Sequence, residues 1–150
     1  MFNFFKNLKS KKLKSGQNVE LLTKTASLLI YTAKIDQEFT DKERKIIKKA
    51  IIDLGADISI VDKIIVEAEI NEKNSNQILN FTKEIKNTNH EFKIKIIEVL
   101  WNIIYSNDEV DMFEANLMSR LSGLLYIDNK AMAEIKEKVK KKFPNDLYCK

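Results

Sequence analysis

Glycine, proline and cysteine are scarce in this 150-residue chain, which has three, one and one of them. An all-β fold needs many tight turns, so this composition argues against one. The lone cysteine, Cys149, has no partner for an internal disulfide, and nothing demands an oxidising compartment. No apolar run approaches the roughly 18–20 residues that a membrane-spanning helix needs. We therefore expect an all-α protein that stays in the cytoplasm.

Arginine and histidine are also scarce, since Arg44, Arg120 and His90 are the only ones. Bidentate recognition of guanine and phosphate favours arginine, so we expect no specific nucleic-acid partner. No serine, cysteine or lysine is accompanied by a plausible histidine base, and there is no glycine-rich phosphate loop. His90 is expected in the first turn of a helix and Trp101 in the core. These absences argue against an enzyme.

The apolar content of 44% is enough for one hydrophobic core. Apolar residues at helical spacing predict a single compact bundle of about seven helices over residues 17–150. Two segments, from Glu20 to Ile35 and from His90 to Tyr105, are apolar on more than one face, so both should be central. Ser15-Gly16 should separate the bundle from an N-terminal arm, residues 1–16.

The arm is predicted to be an amphipathic basic segment, because it has five lysines and no acidic residue. Its lysines follow the apolar cluster, which is the reverse of a secretory signal. Aromatic side chains beside lysines are typical of contact with an anionic membrane, here at the inner face. The residues expected to touch it are Phe2, Phe4, Phe5, Lys6, Lys9, Lys11 and Lys12. The alternative is that the phenylalanines fold back onto the bundle.

The main feature of the sequence is a duplication. A helical run, a short acidic turn and a second helical run occur twice, with an offset of 71 positions. The first turn spans Asp36 to Glu43 and the second spans Asn107 to Glu114. Because the apolar positions on both sides keep the same offset, we expect one repeated helix–acidic turn–helix unit inside one domain.

Helix capping explains part of the acidic pattern. Thr40 with Glu43 fits a capping box, and Asp111 with Glu114 is similar at the second turn. Carboxylates at a helix N-terminus are also favoured by the helix dipole. The other expected helix signals are the caps Asn18, Asp57, Ser75 and Asp128 and the terminator Gly55.

A divalent cation, Ca²⁺ or Mg²⁺, is the alternative explanation, since such ions take several oxygen ligands. The candidate ligands are Asp36, Glu38, Glu43, Asn107, Glu109, Asp111 and Glu114. Neither turn is an EF-hand loop, because Ile47 and Met118 stand where a bidentate glutamate is needed. A protein partner would suit the same turns. A carboxylate-based hydrolase, with Glu38 near Glu109, is the rival from another class.

The two turns resemble those of the tellurite-resistance TerB-like family. The matching patterns are Ala33-x-x-Asp36-x-Glu38-Phe39-x-x-x-Glu43 and Ile104-x-x-Asn107-Asp108-Glu109-Val110-Asp111-x-x-Glu114, with Leu100-Trp101 before the second. The resemblance covers roughly Leu21 to Ala133. It implies an all-helical protein with a role in stress or tellurite resistance, and divalent-metal binding at the turns. Gln37 and Asp108 replace the two turn glycines of the family pattern, and Asn107 replaces its second leading aspartate.

Overall fold

The computed structural model describes residues 16–35, 39–75, 78–106 and 112–142, which form seven α-helices and one 3₁₀ turn. The helices are α1 (Gly16–Ala33), α2 (Asp41–Asp53), α3 (Ile58–Lys73), α4 (Leu79–Thr82), α5 (His90–Ser106), α6 (Met112–Leu124) and α7 (Asn129–Lys140), and the 3₁₀ turn is Ile85–Asn87. This confirms the predicted all-α bundle of about seven helices. Residues 1–15 of the predicted arm lie outside the described residues.

The duplication is visible in the helix boundaries. Helices α2 and α6 begin at residues 41 and 112 and end at 53 and 124, and α3 and α7 begin at 58 and 129. Each pair keeps the offset of 71 positions that the sequence has. The packing repeats as well, because α1 lies along α3, α5 lies along α7, and α1 and α5 contact each other.

Helix α5 is central because it is apolar on several faces. Ile96, Ile97, Leu100, Ile103 and Ile104 are completely buried. As predicted, Trp101 belongs to this core and His90 is exposed at the first position of the helix. Within the described part of the chain, no helix is long and apolar enough to cross a bilayer, and this includes α5.

Helix α1 is equally central although it contains buried hydroxyl side chains. Thr25, Ser27 and Thr32 are almost fully buried, and each hydroxyl donates to the carbonyl four residues earlier, at 2.8, 2.9 and 3.1 Å. This local bond satisfies a hydroxyl without a partner from another helix. The oxygen of Ser27 also lies 3.2 Å from the carbonyl oxygen of Ala68 on α3, so the two helices approach closely there.

Three predicted helix signals are confirmed. Gly55 follows α2 with φ 125°, a conformation that favours glycine. Asp57 caps α3 by accepting from the Ser59 N–H at 2.9 Å. Asp128 caps α7 by accepting from the Ala131 N–H at 2.7 Å.

Two local expectations are wrong. Asn18 does not cap the start of a helix, because it lies inside α1. Ser75 does not cap a single helix either, since the segment after it forms the short α4 and a separate 3₁₀ turn. Isolated helices this short are only marginally stable, so their conformation depends on packing against the rest of the protein. Here Phe81 on α4 and Ile85 on the 3₁₀ turn are both buried in the core.

Candidate functional site

The first acidic turn leads into α2 through the predicted capping box. The Thr40 hydroxyl oxygen accepts from the Glu43 N–H at 3.1 Å, and a Glu43 carboxylate oxygen accepts from the Thr40 N–H at 2.9 Å and from its hydroxyl at 3.2 Å. Glu43 is only 1% exposed. Glutamate is seldom buried so fully unless its carboxylate has partners, and the capping box supplies them. Capping at the first turn is therefore confirmed.

The second acidic turn begins after α5 and leads into α6. Ser106 ends α5 and is itself buried, and its hydroxyl donates to the Ile103 carbonyl at 2.7 Å. Glu114, in the first turn of α6, is 2% exposed. The repeated glutamates Glu43 and Glu114 therefore share more than sequence position, because both are core residues at the start of a helix.

A hydrogen bond connects the flanks of the two turns. The Lys42 ammonium, at the start of α2, donates to the Ser106 carbonyl at the end of α5 with a distance of 3.0 Å. The last carbonyls of a helix have no partner within it and attract cations, so this bond is favourable. Residues that flank the first turn thus touch residues that flank the second, at one end of the bundle.

Other acidic side chains near this end are already paired with cations. Arg44 on α2 holds Glu69 on α3 through two hydrogen bonds of 2.6 and 3.0 Å. This bonding lowers the pKa of Glu69 and raises the pKa of Arg44. Lys34, just after α1, pairs with Glu72 at 2.7 Å. Glu69 and Glu72 on α3 are therefore committed to structural ion pairs.

The predicted metal ligands divide into two groups. Glu43 and Glu114 are the two that the structure describes, and they are buried beside the helix starts. The other five, Asp36, Glu38, Asn107, Glu109 and Asp111, lie outside the described residues. The residues that are described contain no group of three or more His, Cys, Asp or Glu side chains arranged to hold a metal. The two-turn metal site stays a prediction.

Sequence reasoning missed the bond between Lys42 and Ser106. The two residues are 64 positions apart, and a surface lysine after an acidic turn looks like an ordinary solvated side chain. The cation–π contact of Arg44, 4.8 Å from the centre of the Phe39 ring, was also missed. The duplication was the only available signal, since it suggests that equivalent turns lie near a common axis.

Comparison with known proteins agrees with the resemblance that the two turns carry. The family model described as tellurite resistance protein TerB matches residues 22–137. This range agrees closely with the extent of the resemblance that the two turns indicate. Comparisons with curated proteins and with solved structures give no match.

Proposed function

Because the chain belongs to the TerB family, we propose that it is a cytoplasmic, non-enzymatic module that binds a divalent cation through its two acidic turns. The observation that carries this proposal is the hydrogen bond between Lys42 and Ser106. It supports a shared site because the flanks of both turns meet there. The family name supports a setting in stress or tellurite resistance.

The number of ligands explains why two turns are needed. Ca²⁺ takes about six to eight oxygen ligands and Mg²⁺ about six. The first turn contributes Asp36 and Glu38, and the second contributes Asn107, Glu109 and Asp111. Either set alone is too small for a stable site. Together with water they reach the count that these cations need.

Helix capping and cation binding need not compete for the same atoms. Glu43 has its carboxylate in the capping box of α2, so its role in the site is to fix where the turn ends. Glu38 and Glu109 stand outside that box and repeat with the same offset. Replacing these two glutamates should therefore remove cation binding and leave helix capping in place.

Calorimetric titration of the purified chain with Ca²⁺, Mg²⁺, Mn²⁺ and Zn²⁺ tests the proposal. We expect saturable heat with Ca²⁺ or Mg²⁺, and a rise in unfolding temperature with the same ion, because binding to the folded state stabilises it. Exchanging Glu38 and Glu109 together for Gln should abolish both effects. The control exchanges Glu134 and Glu137, which are exposed on α7, for Gln. It removes the same charge and should leave both the heat of binding and the rise in unfolding temperature unchanged.

Two outcomes would contradict the proposal. One is the absence of heat at millimolar concentrations of every ion, which would leave the turns with capping or partner binding. The other is metal binding that persists in the Glu38→Gln, Glu109→Gln variant.

A further inference from the structure

A groove lies at the end of α6 that is remote from the acidic turns. It has a volume of about 300 Å³ and lies between α4, the 3₁₀ turn and the last turn of α6. Leu79 and Leu124 give it apolar walls, and Lys83, Lys86 and Tyr126 also line it. Helix α6 has 13 residues. At a rise of about 1.5 Å per residue, about 20 Å separates the groove from the second acidic turn.

Tyr126 at this groove has an unusual backbone conformation. Its φ is 59°, and it is the one non-glycine residue with positive φ in the described part of the chain. The duplication supplies a direct comparison, because the equivalent position in the first copy is Gly55, with φ 125°. A tyrosine there is strained, whereas glycine is not. Tyr126 is 71% exposed, so core packing does not offset the strain.

Two lysines approach the Tyr126 ring. The ammonium groups of Lys86 and Lys93 lie 5.9 and 5.8 Å from the ring centre. Lys93 is only 9% exposed, and a lysine so deeply buried normally has an acidic partner. Among the described residues, neither of these lysines nor Lys83 forms an ion pair. The groove therefore combines apolar walls with the ammonium groups of Lys83 and Lys86, which form no ion pair within the described residues.

We propose that this groove binds a short acidic segment of a partner protein. One apolar side chain of that segment lies against Leu79, Leu124 and Tyr126, and neighbouring carboxylates face Lys83 and Lys86. The volume fits one or two side chains and is at the lower end of the range for small-molecule pockets. Positive charge around a groove favours a partner of opposite charge. This site is independent of the acidic turns and of any cation bound there.

The shape of the surface favours a peptide over a membrane. Leu79 is 49% exposed, and together with Tyr126 it is one of only two large apolar side chains that are strongly exposed at this groove. A concave site with two such residues admits a side chain but offers little area to a flat lipid surface. Single-stranded nucleic acid would need a free aromatic face for stacking, and here lysines approach that ring.

The test is a titration of the isotopically labelled full chain with a capped Glu-Glu-Leu-Phe-Glu-Glu peptide, followed by NMR. We expect shifts confined to α4, the 3₁₀ turn and the end of α6, and weaker binding at high salt. Tyr126→Gly keeps the backbone conformation and removes the ring, so affinity should fall about tenfold. The double variant Lys83→Gln, Lys86→Gln should cause a similar loss. The control Lys45→Gln, Lys63→Gln changes two exposed lysines elsewhere and should bind normally.

The proposal fails if the acidic peptide causes no shifts at millimolar concentration, or if Tyr126→Gly binds it as well as the original chain. It also fails if a Lys-Lys-Leu-Phe-Lys-Lys peptide binds equally, because charge would then be irrelevant. Vesicles of anionic lipid and a poly-dT oligonucleotide serve as further probes. Should either bind through Tyr126 more tightly than the peptide, the partner class proposed here is wrong.

Discussion

The two equivalent positions of the duplication, Gly55 and Tyr126, should respond differently to exchange between glycine and a side chain. Gly55 has φ 125°, well beyond the left-handed minimum near about 57°. Gly55→Ala should therefore cost at least the roughly 1–2 kcal/mol of a left-handed L-residue. For a domain of this size each kcal/mol lowers the unfolding temperature by about 2–4 °C, so the expected fall is about 2–8 °C.

Tyr126→Gly should destabilise the fold by only about 0.4–1 kcal/mol. Relief of the left-handed strain at φ 59° contributes about 1–2 kcal/mol. Against this, glycine adds about 0.4–1 kcal/mol of unfolded-state entropy, and each lost cation–π contact with Lys86 or Lys93 is worth about 0.5–1 kcal/mol. A third variant, Tyr126→Ala, loses the ring but keeps the strain. It should be the least stable of the chains changed at this position.

Urea unfolding followed by far-UV circular dichroism measures these differences. The midpoint should fall for Gly55→Ala with an unchanged slope, because the surface exposed on unfolding is the same. Tyr126→Gly should unfold at a higher urea concentration than Tyr126→Ala. If Gly55→Ala is neutral, or if Tyr126→Ala is as stable as Tyr126→Gly, the assignment of backbone strain to these positions is wrong.

Two further predictions follow from local contacts, and a third follows from the sequence of the arm. Thr40→Ala should lower the free energy of unfolding by about 1–2 kcal/mol, because Thr40 caps a buried glutamate. The loss should be as large as or larger than that of Asp57→Ala, and urea unfolding compares the two variants. Burial, and to a lesser extent the nearby charge of Glu20, raises the pKa of Glu84. Glu84→Gln should therefore stabilise the fold at neutral pH. Unfolding measured at several pH values should show that this stabilisation disappears in acid. Removing residues 1–16 should abolish co-sedimentation with anionic vesicles at low salt.

The sign of the Glu84 effect follows from linkage. A folded-state pKa above the unfolded value means that the ionised carboxylate destabilises the fold, and that stability is regained as pH falls through the folded pKa. Glu134→Gln, an exposed change of equal charge, is the control. If Glu84→Gln still stabilises the fold in acid, this explanation is wrong.

For the arm, equal vesicle binding by the truncated chain, or no binding by the intact chain, would show that these residues do not contact lipid.

Much of the fold was predictable because it depends on short-range signals. The capping box at Thr40, the caps at Asp57 and Asp128 and the terminator Gly55 each act within a few residues, so spacing alone reveals them. Apolar spacing likewise predicted α5 and its burial. The segment after Ser75 was mispredicted because a short helix has little intrinsic stability, and its packing on α1 determined its form.

The sequence by itself determined the helical class, the duplication and the family resemblance, since periodicity and a constant offset of 71 positions are properties of the chain alone. Only the tertiary structure decided which distant residues meet. It joined Lys42 to Ser106 and placed Lys86 and Lys93 beside Tyr126. It also showed that Tyr126 adopts a left-handed conformation where its repeat partner is glycine. Such contacts arise from the packing of whole helices, and no local pattern encodes which lysine will face which carbonyl or ring.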